Sequence, residues 1–436
     1  MAARGPVRGA AAGAVLLLLA AGTLAAQDLT ERGEATLLRE AAGLESRGDL
    51  AGASAVLRDL LERHPTSSGG LFALERVLRA QGAAADVLPF ADRYLEAAPR
   101  GAGARYLKLR VLVEIDSLET LEEEGRRWIE ADPSSPEPYR EMARLYEQVF
   151  GPERALELLR RGRDTLGDST ALAVETGEVL LELDRPGEAV MAWTHAIGPD
   201  GAQLAAVLRR LEAAEASPTD VALPLVQALD AEPTTPARRR AAVRIALGAG
   251  LGKEALAVAE KVLPELEEGA RRGFLVEIAR RGEEGRAPQV TLWAYRHLLE
   301  ITPDEGERRA LEMRTAAAAL AAADTSVAVE ARSRLARGLP RGSDDRRRIL
   351  ADLIRVQAGR ADADELARRL SDFRAEFPDA EELDELASVT ATSIQARGEI
   401  DRAMAVLEGV EGPLSALERG YLMLEKGQTE AARRAF

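Results

Sequence analysis

Three histidines, His64, His195 and His297, are the only imidazoles in this chain of 436 residues, and it has no cysteine. No two of these histidines stand four residues apart, so no helix turn offers a metal-ligand pair. The missing thiols exclude disulfides, thiolate zinc sites, cysteine nucleophiles and lipidation on an N-terminal cysteine. Carboxylates are plentiful, but Glu122, Glu123, Glu124 and the group Glu265, Glu267, Glu268 are near neighbours in sequence, which do not face one another on a helix. They read as solvated faces. No glycine-rich phosphate loop follows a strand, and no nucleophile elbow is present. The residues therefore predict no catalysis, no cofactor and no metal.

Arginine supplies an ordered pattern instead. Arg76, Arg110 and Arg144 stand 34 residues apart, and four positions before each stand Phe72, Tyr106 and Arg140. Side chains four apart share a helix face. Copied along a row of helices ~10 Å apart, such arginines would meet every third residue of an extended ligand rising ~3.3 Å per residue. Local pairing is the competing use: Glu141 and Glu137 lie three residues before Arg144 and Arg140, and Glu114 lies four after Arg110. Repulsion between arginines ~10 Å apart in water is only about 0.4 kcal/mol, so the row does not itself demand a ligand.

The same 34-residue step governs the apolar positions. Ala53, Val87, Leu121, Ala155 and Ala189 form one ladder, and Pro65, Pro99 and Pro133 form another, twelve positions after three of those rungs. A constant step of this length means one supersecondary unit copied many times. Within a unit, apolar residues recur at three and four, the mark of one helix face. In the first unit Leu37, Ala41 and Leu44 lead to the turn signal Arg47-Gly48-Asp49, and Ala53, Leu57 and Leu60 follow before His64-Pro65. The fourth runs Tyr139, Ala143, Tyr146, then Phe150-Gly151-Pro152, then Ala155 and Leu159; the fifth runs Ala173, Gly177, Leu180, then Asp184 to Gly187, then Ala189, Trp193 and Ala196.

These residues resemble the tetratricopeptide repeat, whose units carry large, small and aromatic residues on the first helix. A small, a bulky and a small residue follow on the second, with proline closing the unit. Gly162, Gly167 and Gly201 at closing positions, and Leu121 where a small residue is usual, depart from that pattern. The resemblance implies an all-α fold, an α-solenoid of stacked antiparallel helix pairs. It also implies a groove lined by first helices, with Phe72, Arg76, Tyr106, Arg110, Arg140 and Arg144 as the residues that would grasp an extended peptide. Ala53, Tyr139, Ala143, Tyr146, Ala155, Gly177, Ala189, Trp193 and Ala196 are expected to form the repeat core.

Three segments are expected: a leader at 1–26, a regular array at 27–214, and divergent repeats at 215–436. Roughly eleven or twelve units are expected in all. Helix pairs are legible at 242–262, 309–335, 348–377 and 383–407, and a hinge is expected at 215–220. The stretch 271–301 fits worst, because Gly282 to Pro288 reads as a loop. Arg238 to Arg240 and Arg346 to Arg348 read as solvated clusters at helix starts. Gly420, Met423, Gly427, Ala432 and Phe436 match the repeat again, and Ala432 and Phe436 would leave an apolar face open. That face suggests either more chain beyond Phe436 or self-association.

Arg4 and Arg8, the apolar stretch Ala14 to Leu24 and the small residues to Ala26 read as a secretory leader. No second membrane-length segment follows, so no membrane span is expected once the leader is removed. Residues 27–233 carry 23 basic and 38 acidic side chains, and residues 234–436 carry 33 and 35. That acidic first half disfavours nucleic acid and anionic lipid as partners. The function implied is a non-catalytic, exported scaffold that binds a protein or peptide in the periplasm or cell envelope. The alternative is the recruiting region of a longer protein with an enzymatic or membrane-associated domain.

Overall fold

The structure is a computed structural model that describes residues 33–214 and 217–436. The leader and part of the expected hinge lie outside the described residues. Among the described residues every regular element is helical. The chain divides by its contacts into two compact units.

The first unit holds residues up to 198 and 202–214. Its helices are α1 (33–46), α2 (Leu50–Arg63), α3 (Ser68–Ala80), α4 (Leu88–Ala97), α5 (Ala102–Glu114), α6 (Leu118–Ala131), α7 (Glu137–Phe150), α8 (Pro152–Leu166), α9 (Ala173–Glu182), α10 (Pro186–Ile197) and α11 (Leu204–Ala213). Odd-numbered helices α1 to α9 are the first members of antiparallel pairs. The turns follow from their residues. Gly48 adopts φ +79°, and Asp49 then caps α2 by accepting the Gly52 N–H at 2.9 Å. Gly151, at φ +90°, turns the chain between α7 and α8, and Pro152 starts α8, where a missing N–H costs nothing. Gly167 ends α8 in the left-handed conformation that favours glycine. Pro65, Pro99 and Pro133 each lie just past the end of a second helix.

All five rungs of the apolar ladder, Ala53, Val87, Leu121, Ala155 and Ala189, are fully buried. Val87 reaches its place from a short 3-10 turn, Ala84–Val87, ahead of α4. Close helix approach explains the small residues. A Cβ on Gly177 would come within 2.3 Å of the Trp193 indole, whose Nε1 donates to the Val174 carbonyl at 3.1 Å. Gly162, atypical by sequence, sits where Ala196 sits one unit later. The Tyr139 ring would lie 2.6 Å from a Cβ there. The large tyrosine requires the small partner.

The second unit holds 199–201 and 217–436. It contains α12 (Leu223–Asp230), α13 (Pro236–Gly248), α14 (Gly252–Val262), α15 (Glu268–Glu284), α16 (Pro288–Ile301), α17 (Glu305–Ala321), α18 (Thr325–Gly338), α19 (Asp344–Gln357), α20 (Ala363–Glu376), α21 (Leu383–Gln395), α22 (Ile400–Val406), α23 (Pro413–Glu425) and α24 (Thr429–Ala435). The expected helix pairs at 242–262, 309–335, 348–377 and 383–407 are present. Residues 271–301, expected to fit worst, form a full pair, α15 and α16. Gly282 belongs to α15, not to a loop, and its missing side chain admits Thr291, which a Cβ would meet at 2.5 Å.

Two further expectations are corrected in part. Within the arginine clusters Arg239, Arg346 and Arg347 are staples, whereas Arg348 stays solvated as expected. Arg239, 11% exposed, donates to Asp230 at 2.9 Å and Glu232 at 2.6 Å and also pairs with Glu265. Arg346 holds Glu376 at 2.8 Å, and Arg347 holds Glu382 at 2.5 Å. At the last pair Ala432 is fully buried. Phe436 is exposed as expected, and the open apolar stripe continues from it on α23, at Leu414, Leu417, Tyr421 and Leu424.

Candidate functional site: the first-helix face of the N-terminal unit

Helices α3, α5 and α7 carry the six residues of the expected groove. The inward positions of these helices are filled by Leu71, Leu74, Leu78, Leu107, Leu112 and Tyr139, all buried. The outward positions are left to Phe72 and Tyr106 and to the arginines. Phe72 is 40% exposed, and its ring rests on α5, where a Cβ on Gly103 would stand 3.2 Å away. Tyr106 is half-buried.

The arginines are paired, mostly across units. Arg76 Nε and Nη2 donate to Glu45 of α1 at 2.7 and 2.6 Å. Arg110 reaches back to Glu75 of α3 at 2.9 Å, and Arg79 meets the same carboxylate at 2.5 Å. Arg140 reaches forward to Glu175 of α9 at 2.5 Å. Arg144 alone among the four keeps a local partner, Glu141, at 3.4 Å. The expected local pairs of Arg140 with Glu137 and of Arg110 with Glu114 are not made. Glu114 takes Arg79 at 2.9 Å instead. Helices one unit apart bring residues 31 to 35 positions distant into reach, and that spacing outcompetes the turn.

Burial separates these pairs energetically. The Arg76 side chain is 62% exposed, whereas Glu75 is only 5% exposed and occupies the position that Ala143 and Gly177 fill later. Glu75 therefore depends on Arg79 and Arg110 for its charge. Lys108 is likewise held between Asp92 at 2.6 Å and Glu124 at 2.9 Å. Glu124 is 7% exposed, so that carboxylate, read as solvated, is part of the packed layer.

Further along the face, the Glu147 carboxyl is hydrogen-bonded to Glu182 of α9. That bond, with partial burial and the nearby charges of Glu182 and Glu178, raises its pKa to about 7. Arg210 of α11 holds Glu178 at 2.9 Å. Sequence reading missed this carboxyl pair, because nothing local in the chain ties 147 to 182.

The imidazoles do not converge. His195 Nδ1 stands 2.7 Å from the Met191 carbonyl, and His297 Nδ1 stands 2.9 Å from the Trp293 carbonyl, each one turn back on its own helix. No group of three metal-ligating side chains occurs among the described residues. No described helix is long and apolar enough to cross a membrane.

Small residues at the helix crossings, bulky residues between them and the constant step describe one architecture. The first unit is an all-α array of antiparallel helix pairs repeated at a constant step. Comparison with family models and with curated proteins finds no match. Among solved structures, a thermophilic tetratricopeptide protein of Thermus thermophilus is similar at 18% identity over 42% of this chain and 100% of its own, with a TM-score of 0.29. The tetratricopeptide domain of P58(IPK) is similar at 13% identity over 92% of this chain and 98% of its own, with a TM-score of 0.23. MamA is similar at 16% identity over 36% and 92%, with a TM-score of 0.27. Those scores are low, so the architecture rests on this chain's own helix pairs.

Proposed function

We propose that this chain is a non-catalytic scaffold that holds an extended protein or peptide partner along α3, α5 and α7 of its first unit. One observation carries the reading. The outward positions of three successive first helices present Phe72, Tyr106 and arginines whose guanidinium groups are already held in place by carboxylates. A side chain fixed in advance loses less entropy when it binds. Acidic or carboxyl-terminal groups on the partner would meet Arg76 and Arg144, and each charge-assisted bond contributes ~1.5–3 kcal/mol.

Panning a library of extended peptides against the full chain, followed by calorimetry, tests the reading. Arg110 is kept intact because it neutralises the buried Glu75. Arg76→Glu combined with Arg144→Glu should weaken selected peptides by at least about tenfold, or ~1.4 kcal/mol, with the helical circular dichroism unchanged. Equal affinity in the double variant would contradict the proposal.

Export to the periplasm or cell envelope belongs to the same proposal and rests on the residues of the 1–26 leader. Self-association has its own supporting observation in the exposed α23 stripe of Leu414, Leu417, Tyr421 and Leu424. Light scattering that stays monomeric over a hundredfold range of concentration would dismiss it.

A further inference from the structure

The second unit holds a cavity of 820 Å³ that the first-helix face does not involve. It is lined by α14 and the segment after it, by Arg271 and Leu275 of α15, by α16 and by the turn before α18. Its volume falls within the ~300–1,000 Å³ of small-molecule sites. Leu256, Leu263, Leu292 and Ile301 supply apolar wall, and the half-buried Trp293 supplies an indole surface. Trp128 and Trp193 are core residues, at 2% and 0% exposed; Trp293 keeps a face toward the void.

The charged groups around the cavity divide into committed and uncommitted. Arg271 donates to the carbonyls of Leu266 at 2.9 Å and Pro264 at 3.3 Å. Asp324 caps α18, accepting from Ser326 Oγ at 2.7 Å and the Val327 N–H at 3.2 Å. His297 Nδ1 must carry its proton, since the Trp293 carbonyl only accepts, and this leaves Nε2 open. The side chains of Arg296, Glu260 and Glu300 are exposed and make no hydrogen bond or ion pair among the described residues, although the charge of Arg296 is felt at Asp324. One cation and two carboxylates are thus unspent around an apolar wall.

We propose that this cavity binds a small apolar zwitterion, the chemistry of a free apolar amino acid or of a di- or tripeptide. Arg296 receives the carboxylate, Glu260 or Glu300 receives the ammonium, and the leucines with Trp293 cover the side chain. A zwitterion engages both signs at once, a ligand of single charge only one, and a wholly apolar ligand neither.

Equilibrium dialysis of the full chain against L-leucine tests this, alongside 4-methylpentanoate, which lacks the ammonium, and 3-methylbutylamine, which lacks the carboxylate. Leucyl-leucine is the fourth probe. Leucine or leucyl-leucine should bind with a Kd below about 1 mM, and both single-charge analogues at least about tenfold more weakly. The tighter of the first two identifies amino acid or peptide as the source. Arg296→Gln, at an exposed and unpartnered position, should weaken the zwitterion about tenfold and leave the fold intact. Binding should shift tryptophan emission, and Trp293→Phe should abolish that shift. No binding of either zwitterion at about 10 mM, equal binding of either analogue, or an unaffected Arg296→Gln variant would overturn the proposal.

Discussion

Single residues in this chain are chosen by what stands across a helix crossing. Gly177 and Gly187 look alike in sequence, yet the first faces the Trp193 indole and the second faces open space. Gly177→Ala should therefore lower the denaturation free energy by about 1–3 kcal/mol through overpacking. Gly187→Ala should change it by no more than about 0.5 kcal/mol. Urea midpoints of the two variants measure the contrast, and equal midpoints would refute the packing account. Titration offers a second residue-scale check. The free Glu147 carboxyl titrates near 4.5 and the folded one near 7, so between these values the folded state holds the extra proton. Its contribution to stability is complete below about 4.5 and fades as the pH rises through 7. Carbon-detected NMR should show a glutamate titrating near neutrality, and Glu147→Gln should remove both that signal and the associated loss of stability. A Glu147 that titrates in the ordinary carboxylate range would contradict the hydrogen-bonded pair.

At the scale of elements, neighbouring first helices are tied by arginine–glutamate pairs of unequal worth. Arg76→Ala breaks an exposed pair and should cost less than about 1 kcal/mol. Arg110→Ala leaves the buried Glu75 with Arg79 alone and should cost about 1–3 kcal/mol. Guanidinium melts would separate the two, and the reverse order would show that burial does not set their strength. The helix pairs themselves were legible from sequence, because Gly48, Gly151 and the closing prolines mark turns by backbone chemistry alone. Small residues at 155, 177 and 189 marked the crossings for the same local reason. The pairs between units were not legible. Arg140 had Glu137 within a turn and Glu175 one unit away, and only the stacking distance decides between them. Gly282 misled for a related reason: a glycine that makes room for Thr291 carries the same letter as a glycine that breaks a helix. The Trp293 cavity was likewise invisible, since its walls come from α14 and the segment after it, α15, α16 and the turn before α18.

At the scale of the whole molecule, each unit packs its own core, and the proposed binding face belongs to the first. Stacked pairs bury a continuous core while leaving one face of each first helix to the solvent. That face carries aromatic rings and arginines held in place by their neighbours, a surface suited to a partner that lies across several helices. Its contact with the partner can be located directly. Hydrogen exchange of the full chain, with and without a saturating selected peptide, should show slowing concentrated in α3, α5 and α7, with the second helices α4, α6 and α8 unchanged. Protection confined to the second helices, or to the second unit alone, would contradict the assignment of the binding face.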